Sequence, residues 1–120
     1  IVARYRRVSR TLGEIRMRHI GLCNRHEMYQ NNGTPITAFI FDKVEEPLNF
    51  QHHFGVAFDS PLLSNGDEIA LYVTGLTPCL TATLLAAKSV GVKTLKLMHF
   101  NRDTEQYVAQ DVSELLTTKL

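Results

Sequence analysis

The spacing of apolar and polar positions changes several times along the chain, and each spacing predicts an element. The clearest run is Ile69–Thr74 (IALYVT), almost unbroken in apolar residues. Such a run suits a central strand covered on both faces. After it, Leu80, Leu84, Ala87 and Val90 recur at helical spacing. They predict a helix with Thr77 as N-cap and Pro78 at the first helical position. Gly91 stops it. Leu80, Leu84 and Ala87 are expected to face the sheet. Thr94–Phe100 (TLKLMHF) reads as the next strand, and a strand, a helix and a strand this close imply a right-handed parallel crossover. Asn101–Glu105 is a polar turn, Tyr107–Val112 returns antiparallel, and Ser113 caps a last short helix.

The first half of the chain is less regular. Glu14–Cys23 mixes apolar and basic residues and reads as a strand. Asn24–Thr34 is a loop whose turn residues are Asn31, Asn32 and Gly33. Pro35–Val44 (PITAFIFDKV) is rich in β-branched and aromatic residues and reads as a strand that Pro47 ends. Phe54–Asp59 (FGVAFD) reads as a second short strand, broken by Ser60-Pro61. Ser64–Asp67 is a turn, because Asn and Gly tolerate positive φ. The expected fold class is α/β, with α+β as the alternative. It consists of a small mixed sheet with a central parallel β-α-β unit and a C-terminal β-hairpin. A chain of 120 residues fits a single domain, 1–120.

Composition narrows the class. No apolar run reaches the roughly 18 residues that a membrane helix needs. The first ten residues carry four arginines and no apolar h-region follows, so no secretory leader is expected. Cys23 and Cys79 are the only cysteines, too few for a disulfide framework. They point to a reducing, cytoplasmic setting. No paired Cys/His spacing favours structural zinc. The net charge of +1 hides an imbalance. Residues 1–28 hold Arg4, Arg6, Arg7, Arg10, Arg16, Arg18 and Arg25 against Glu14 and Glu27, while residues 29–120 hold six basic and ten acidic side chains. The basic end suits a phosphate-bearing partner or, equally, a solvated edge strand.

Two loops carry candidate chemistry. Thr74, Gly75, Leu76, Thr77 and Pro78 follow the C-terminal end of a parallel strand, the edge where open α/β sheets bind ligands. The helix they open would present free N–H groups near Cys79, Leu80 and Thr81, together with the positive end of its dipole. A plain connection capped by threonine is the simpler reading. The second loop carries His99, Asn101, Arg102 and Asp103 and lies on the same sheet edge, because the two strands are parallel. Their convergence favours a binding site more than either loop does alone, and the simpler reading is that Arg102 and Asp103 solvate a turn. Cys79 sits in a first helical turn, where a thiol pKa tends to fall, but no base partners it in sequence, and a buried small residue is the preferred reading. The histidines His19, His26, His52, His53 and His99 match no metal-ligand spacing.

Four features together resemble the small manganese-dependent CRISPR-associated ring nucleases over Phe39 to Gln110. Ala38-Phe39-Ile40-Phe41 runs into Val44-Glu45-Glu46-Pro47. Leu71–Thr74 leads to Gly75-Leu76-Thr77-Pro78, where the family has a glycine-rich turn ending in proline. A helix of similar length follows. Leu97–Asn101 then leads to Tyr107-Val108-Ala109-Gln110, resembling the family's hairpin ending in glutamine. The resemblance implies a ligand of the cyclic oligoadenylate type. The chain departs from the pattern at two functional places. The family's helix histidine, four residues after the proline, is Ala82 here, and the aspartate of its hairpin turn is Asn101. Neither Ala nor a neutral amide replaces a hard metal ligand well.

The resemblance therefore implies a protein that binds a cyclic nucleotide immune messenger, sensing or sequestering it at a homo-oligomer interface. No cofactor is expected. A phage protein that removes an immune signal would fit the description. The alternative is a metal-dependent ring nuclease or phosphodiesterase using His99, Asn101, Arg102 and Asp103, with Mn²⁺ as cofactor. The third reading is a non-catalytic interaction module built on the arginine-rich end. Only Tyr5 interleaves an aromatic ring among those arginines, which weakens single-strand nucleic-acid binding.

Overall fold

The computed structural model describes residues 17–117. Arg4, Tyr5, Arg6, Arg7, Arg10 and Arg16 of the basic end, and the start of the strand expected from Glu14, lie outside the described residues. Five strands form one mixed sheet in the order β2-β1-β3-β4-β5. They are β1 (Met17–Cys23), β2 (Phe39–Phe41), β3 (Glu68–Tyr72), β4 (Thr94–Asn101) and β5 (Gln106–Asp111). The helices are α1 (Phe50–Asp59), α2 (Thr77–Val90) and α3 (Ser113–Thr117). The first four strands are parallel and β5 is antiparallel to β4. The fold is α/β with a parallel β3-α2-β4 unit and a C-terminal hairpin.

The centre is β3, where Ile69, Ala70, Leu71 and Tyr72 are all buried. Alternation sends Ile69 and Leu71 into the core with Ala57 of α1 and Ala82 and Ala86 of α2. Ala70 and Tyr72 point to the opposite face, where Met28 and Ile36 of the β1–β2 connection cover them. The step from β1 to β2 runs toward one edge of the sheet, and the steps through α1 and α2 run back toward the other. Right-handed crossovers in opposite directions must pass over opposite faces. The connections therefore diverge between β1 and β3, a topological switch point.

Two expected strands are corrected. Phe54–Asp59 belongs to α1. Asn49 caps that helix by accepting the His52 amide at 3.3 Å, and the turn it starts buries His53 and Ala57 four residues apart. Phe54 and Phe58 stack on one side of it, a spacing that also mimics strand alternation through FGVAFD. Within Pro35–Val44 only Phe39–Phe41 pairs as strand, because Ile36 is drawn onto the sheet face beside Tyr72.

The inward side of α2 also shifts from the expected one. Ala87 is fully buried, but Leu80 and Leu84 are half-buried at the border of the core, and the buried line is Cys79, Ala82, Thr83, Ala86 and Ala87. Small residues there let α1 pack closely beside α2. Gly91 ends the helix at φ 88°, and its N–H returns to Ala87 and Lys88. At the open end of the sheet, Arg18 pairs with Asp67 at 3.0 Å, tying β1 to the turn before β3. No helix among the described residues is long and apolar enough to cross a membrane.

Two substitutions test this packing. Leu71 is fully buried, so Leu71→Ala is expected to cost roughly 2–5 kcal/mol, with Leu84→Ala costing clearly less. A Cβ on Gly21 would run into the Phe39 ring, so Gly21→Ala is expected to cost about 1–3 kcal/mol through overpacking. Chemical denaturation midpoints measure both, and an unchanged midpoint for Gly21→Ala would contradict the β1–β2 register.

Candidate functional site

Beyond Tyr72 the chain stays paired for one more residue, as the Val73 amide donates to Met98 at 3.1 Å. It then leaves the sheet at Thr74. Pro78 falls inside the first turn of α2, and the N-cap is Leu76 rather than Thr77. Leucine has no side-chain acceptor, so no cap hydrogen bond forms. The Cys79 and Leu80 amides donate to the Leu76 carbonyl at 3.1 and 3.2 Å. The free donors are therefore earlier than expected. Among the described residues no group accepts from the Gly75, Leu76 or Thr77 amides. An extra Cβ on Gly75 would meet nothing within 4 Å, so this backbone is open to approach.

Thr74 is 9% exposed, and its buried hydroxyl has no partner that meets ordinary hydrogen-bond geometry. The neighbouring Cys23 sulfur can accept weakly from it, one of the effects that oppose the rise of the Cys23 thiol on burial.

The β4–β5 hairpin forms the second part. Asn101 shapes its turn: the side chain accepts the Asp103 amide at 2.9 Å, and the backbone carbonyl accepts the Glu105 amide at 2.8 Å. Glu105 turns the chain at φ 58°. His99 faces the same side as Gln110 and pairs with it, ring Nε2 to Oε1 at 2.8 Å. Phe100 lies on the other face, edge-on to Tyr107. Arg102 is exposed and makes no ion pair among the described residues.

Sequence reasoning missed a third part, residues 26–31. Met28 anchors this loop on Tyr72. Asn31 clamps it to β5, donating to the Tyr107 carbonyl at 3.0 Å and accepting the Tyr107 amide at 2.7 Å. The Tyr29 hydroxyl donates to Glu27. Only the single apolar Met28 inside a polar stretch hints in sequence that the loop is pinned down.

The three parts enclose a cleft of about 710 Å³ at the C-terminal edge of the sheet. Of the expected site residues, Thr74, Gly75, His99 and Arg102 line it. Leu76, Thr77, Pro78, Asn101 and Asp103 do not. His26, Glu27, Tyr29, Phe100, Glu105 and Tyr107 are among the other residues of the wall. Tyr29 and Phe100 are about half exposed, so ring surface is available for stacking. The cleft thus offers one guanidinium, the open Gly75 backbone, carboxylate acceptors and aromatic faces.

A manganese ion finds no matching donor set. Among the described residues no three His, Cys, Asp or Glu side chains gather where a metal ion could be held. His99 is engaged by Gln110, Asn101 closes its own turn, and Asp103 lies outside the cleft. Nor is Cys79 a nucleophile. Burial, reinforced by the neighbouring Cys23, pushes its thiol up to about 12. Burial also raises Cys23, against smaller opposing effects of Thr74, Cys79 and Arg25. Desolvation outweighs the helix N-terminus. Compared with protein-family models, curated proteins and solved structures, the chain matches none.

The thiols give a direct check. At pH 8 neither cysteine of the folded protein is expected to react with a thiol reagent on the timescale of the denatured control. A thiol whose pKa is higher folded than unfolded stabilises the fold fully below its ordinary value near 9. That stability is lost as pH climbs toward about 12. The unfolding midpoint should therefore fall above pH 9 and fall less in Cys79→Ala.

Proposed function

We propose that the cleft between residues 26–31, Thr74–Gly75 and the β4–β5 hairpin binds a cyclic oligonucleotide and holds it without cleaving it. The observation that carries this reading is a cleft at the C-terminal edge of the sheet that brings together the exposed Arg102, the open Gly75 backbone and the half-exposed rings of Tyr29 and Phe100. Phosphate is recognised by N–H groups at a helix start and by a guanidinium. Bases are recognised by stacking. Glu27 and Glu105 would repel a bare anion, but they can accept from the amino groups of bases. A ligand that carries both charge and donors fits this mixture better than inorganic phosphate does.

The volume suits one or two nucleotides rather than a whole ring. A ring with internal symmetry is shared most simply between two copies of the chain across a two-fold axis. Capture rather than cleavage is supported by the scattered positions of His99, Asn101 and Asp103, which do not meet around a reacting phosphate.

Calorimetry with cyclic tri- and tetra-adenylate tests the reading, followed by denaturation and mass spectrometry of the released ligand. Stoichiometric uptake with intact ligand is expected. Multiple turnovers with Mn²⁺ that vanish in His99→Ala would replace this reading with the enzymatic one. Arg102→Ala should weaken binding about tenfold or more, from roughly 1.5–3 kcal/mol per hydrogen bond to a charged group. It should also flatten the salt dependence while leaving the melting temperature in place. Phe100→Ala should cost roughly 1–3 kcal/mol of affinity through lost stacking.

A further inference from the structure

The strand β5 ends the sheet on one side, and its outer edge is open in a definite pattern. The Tyr107 amide and carbonyl both turn away from β4 and meet the Asn31 side chain at 2.7 and 3.0 Å. Inward and outward backbone groups alternate along an antiparallel strand. The Val112 amide donates inward to the Leu95 carbonyl at 2.9 Å, which fixes the same phase. The amide and carbonyl of Ala109 and of Asp111 therefore point outward as well, and no described group bonds to them. After Asp111 the chain turns back beneath β4. Ser113 Oγ accepts the Leu95 amide at 3.0 Å, and Lys88 Nζ donates to the Leu115 carbonyl at 3.0 Å. These bonds hold α3 against α2 and β4 and leave the outer side of β5 uncovered.

An exposed strand edge is usually blunted by shortness, lysine, proline or a bulge. The opposite edge, β2, is short, with three residues. β5 has six residues, no proline, no basic side chain, and Asp111 as its only charge. Val108 stands opposite His99 on the side of the sheet that carries Leu97 and the helices, and it is 53% exposed.

We propose that β5 pairs antiparallel with β5 of a second copy of this chain, across a two-fold axis between the two Gln110 residues, joining the two five-stranded sheets into one. In this register Ala109 of each copy faces Asp111 of the other, and each such pair exchanges both of its hydrogen bonds. The Tyr107 groups that Asn31 occupies stay outside the contact. Val108 comes opposite Val112 of the second copy, so an exposed β-branched side chain gains an apolar cross-strand partner. Moving the centre to Ala109 would set Asp111 against the Tyr107 groups that Asn31 already holds. Moving it to Asp111 would set two carboxylates face to face, which is destabilising. The open groups are complementary to themselves in a single register, as an isologous contact requires. That self-complementarity favours a second copy over an unrelated extended segment. The ligand clefts lie at the hairpin ends of the two β5 strands, on either side of this axis. The contact is therefore separate from any sharing of a ring ligand and forms without one.

The test uses the ligand-free full chain. Light scattering after size exclusion, over a concentration series into the millimolar range, should show a species at twice the 13.6 kDa chain mass. Ala109→Pro removes only an outward N–H, where an edge strand tolerates proline. By deleting a hydrogen bond in each half of the contact it should weaken the dimer about tenfold or more. Gln110→Cys reads the register. Facing residues without mutual hydrogen bonds have Cα atoms about 4.5 Å apart, within disulfide reach, so oxidised glutathione should link this variant into a covalent dimer. Val108→Cys is also exposed on the same face, but it sits opposite Val112 and should not link with itself. Cys23 and Cys79 are buried and leave the background low. A monomer at every concentration would overturn the proposal. So would a folded Ala109→Pro that dimerises unchanged, absence of the Gln110→Cys link, or a Val108→Cys link of equal yield. If Ala109→Pro does not fold, the mass of the native chain and the two cysteine variants decide.

Discussion

The structure depends on keeping both faces of β3 dry. Every side chain from Ile69 to Tyr72 is buried, and alternation divides them between two faces, so one layer of helices is not enough. The helices α1 and α2 cover Ile69 and Leu71. Among the described residues nothing helical packs on Ala70 and Tyr72. The long β1–β2 connection has to cross that face, with Met28 and Ile36 as its anchors. The same demand builds the cleft. A loop pinned over Tyr72 and clamped to Tyr107 by Asn31 stands as a wall in front of the sheet edge. The site is a consequence of how the central strand is covered.

The part of the fold legible in sequence is the part whose signals are local. The unbroken apolar run of β3, the Pro78 and Gly91 boundaries of α2, and the short polar turn of the hairpin each act within a few residues. The errors occur where local and long-range demands differ. FGVAFD satisfies strand alternation and helical spacing equally, and Asn49, six residues before Gly55, decides for the helix. Pro35–Val44 has strand composition, but Ile36 contributes more by covering Tyr72 than by pairing. At the site, Asn101 and Asp103 look like ligands by residue type. Yet Asn101 is occupied in making the turn that carries Arg102. The loop of residues 26–31 could not be placed, because what fixes it is Tyr72 and Tyr107, more than forty residues away.

The two helices that start at the C-terminal edge of the sheet begin in different ways. An uncapped helix start is a standing offer of N–H groups and partial positive charge; a capped one surrounded by carboxylates has withdrawn that offer. At α2 the cap position is Leu76, and the amides from Gly75 to Thr77 remain open. At α1 the cap is Asn49, and Glu45, Glu46 and Asp42 crowd the approach. One residue at each cap position, leucine or asparagine, therefore decides whether a helix start on this edge keeps its donors open, on either side of the switch point between β1 and β3.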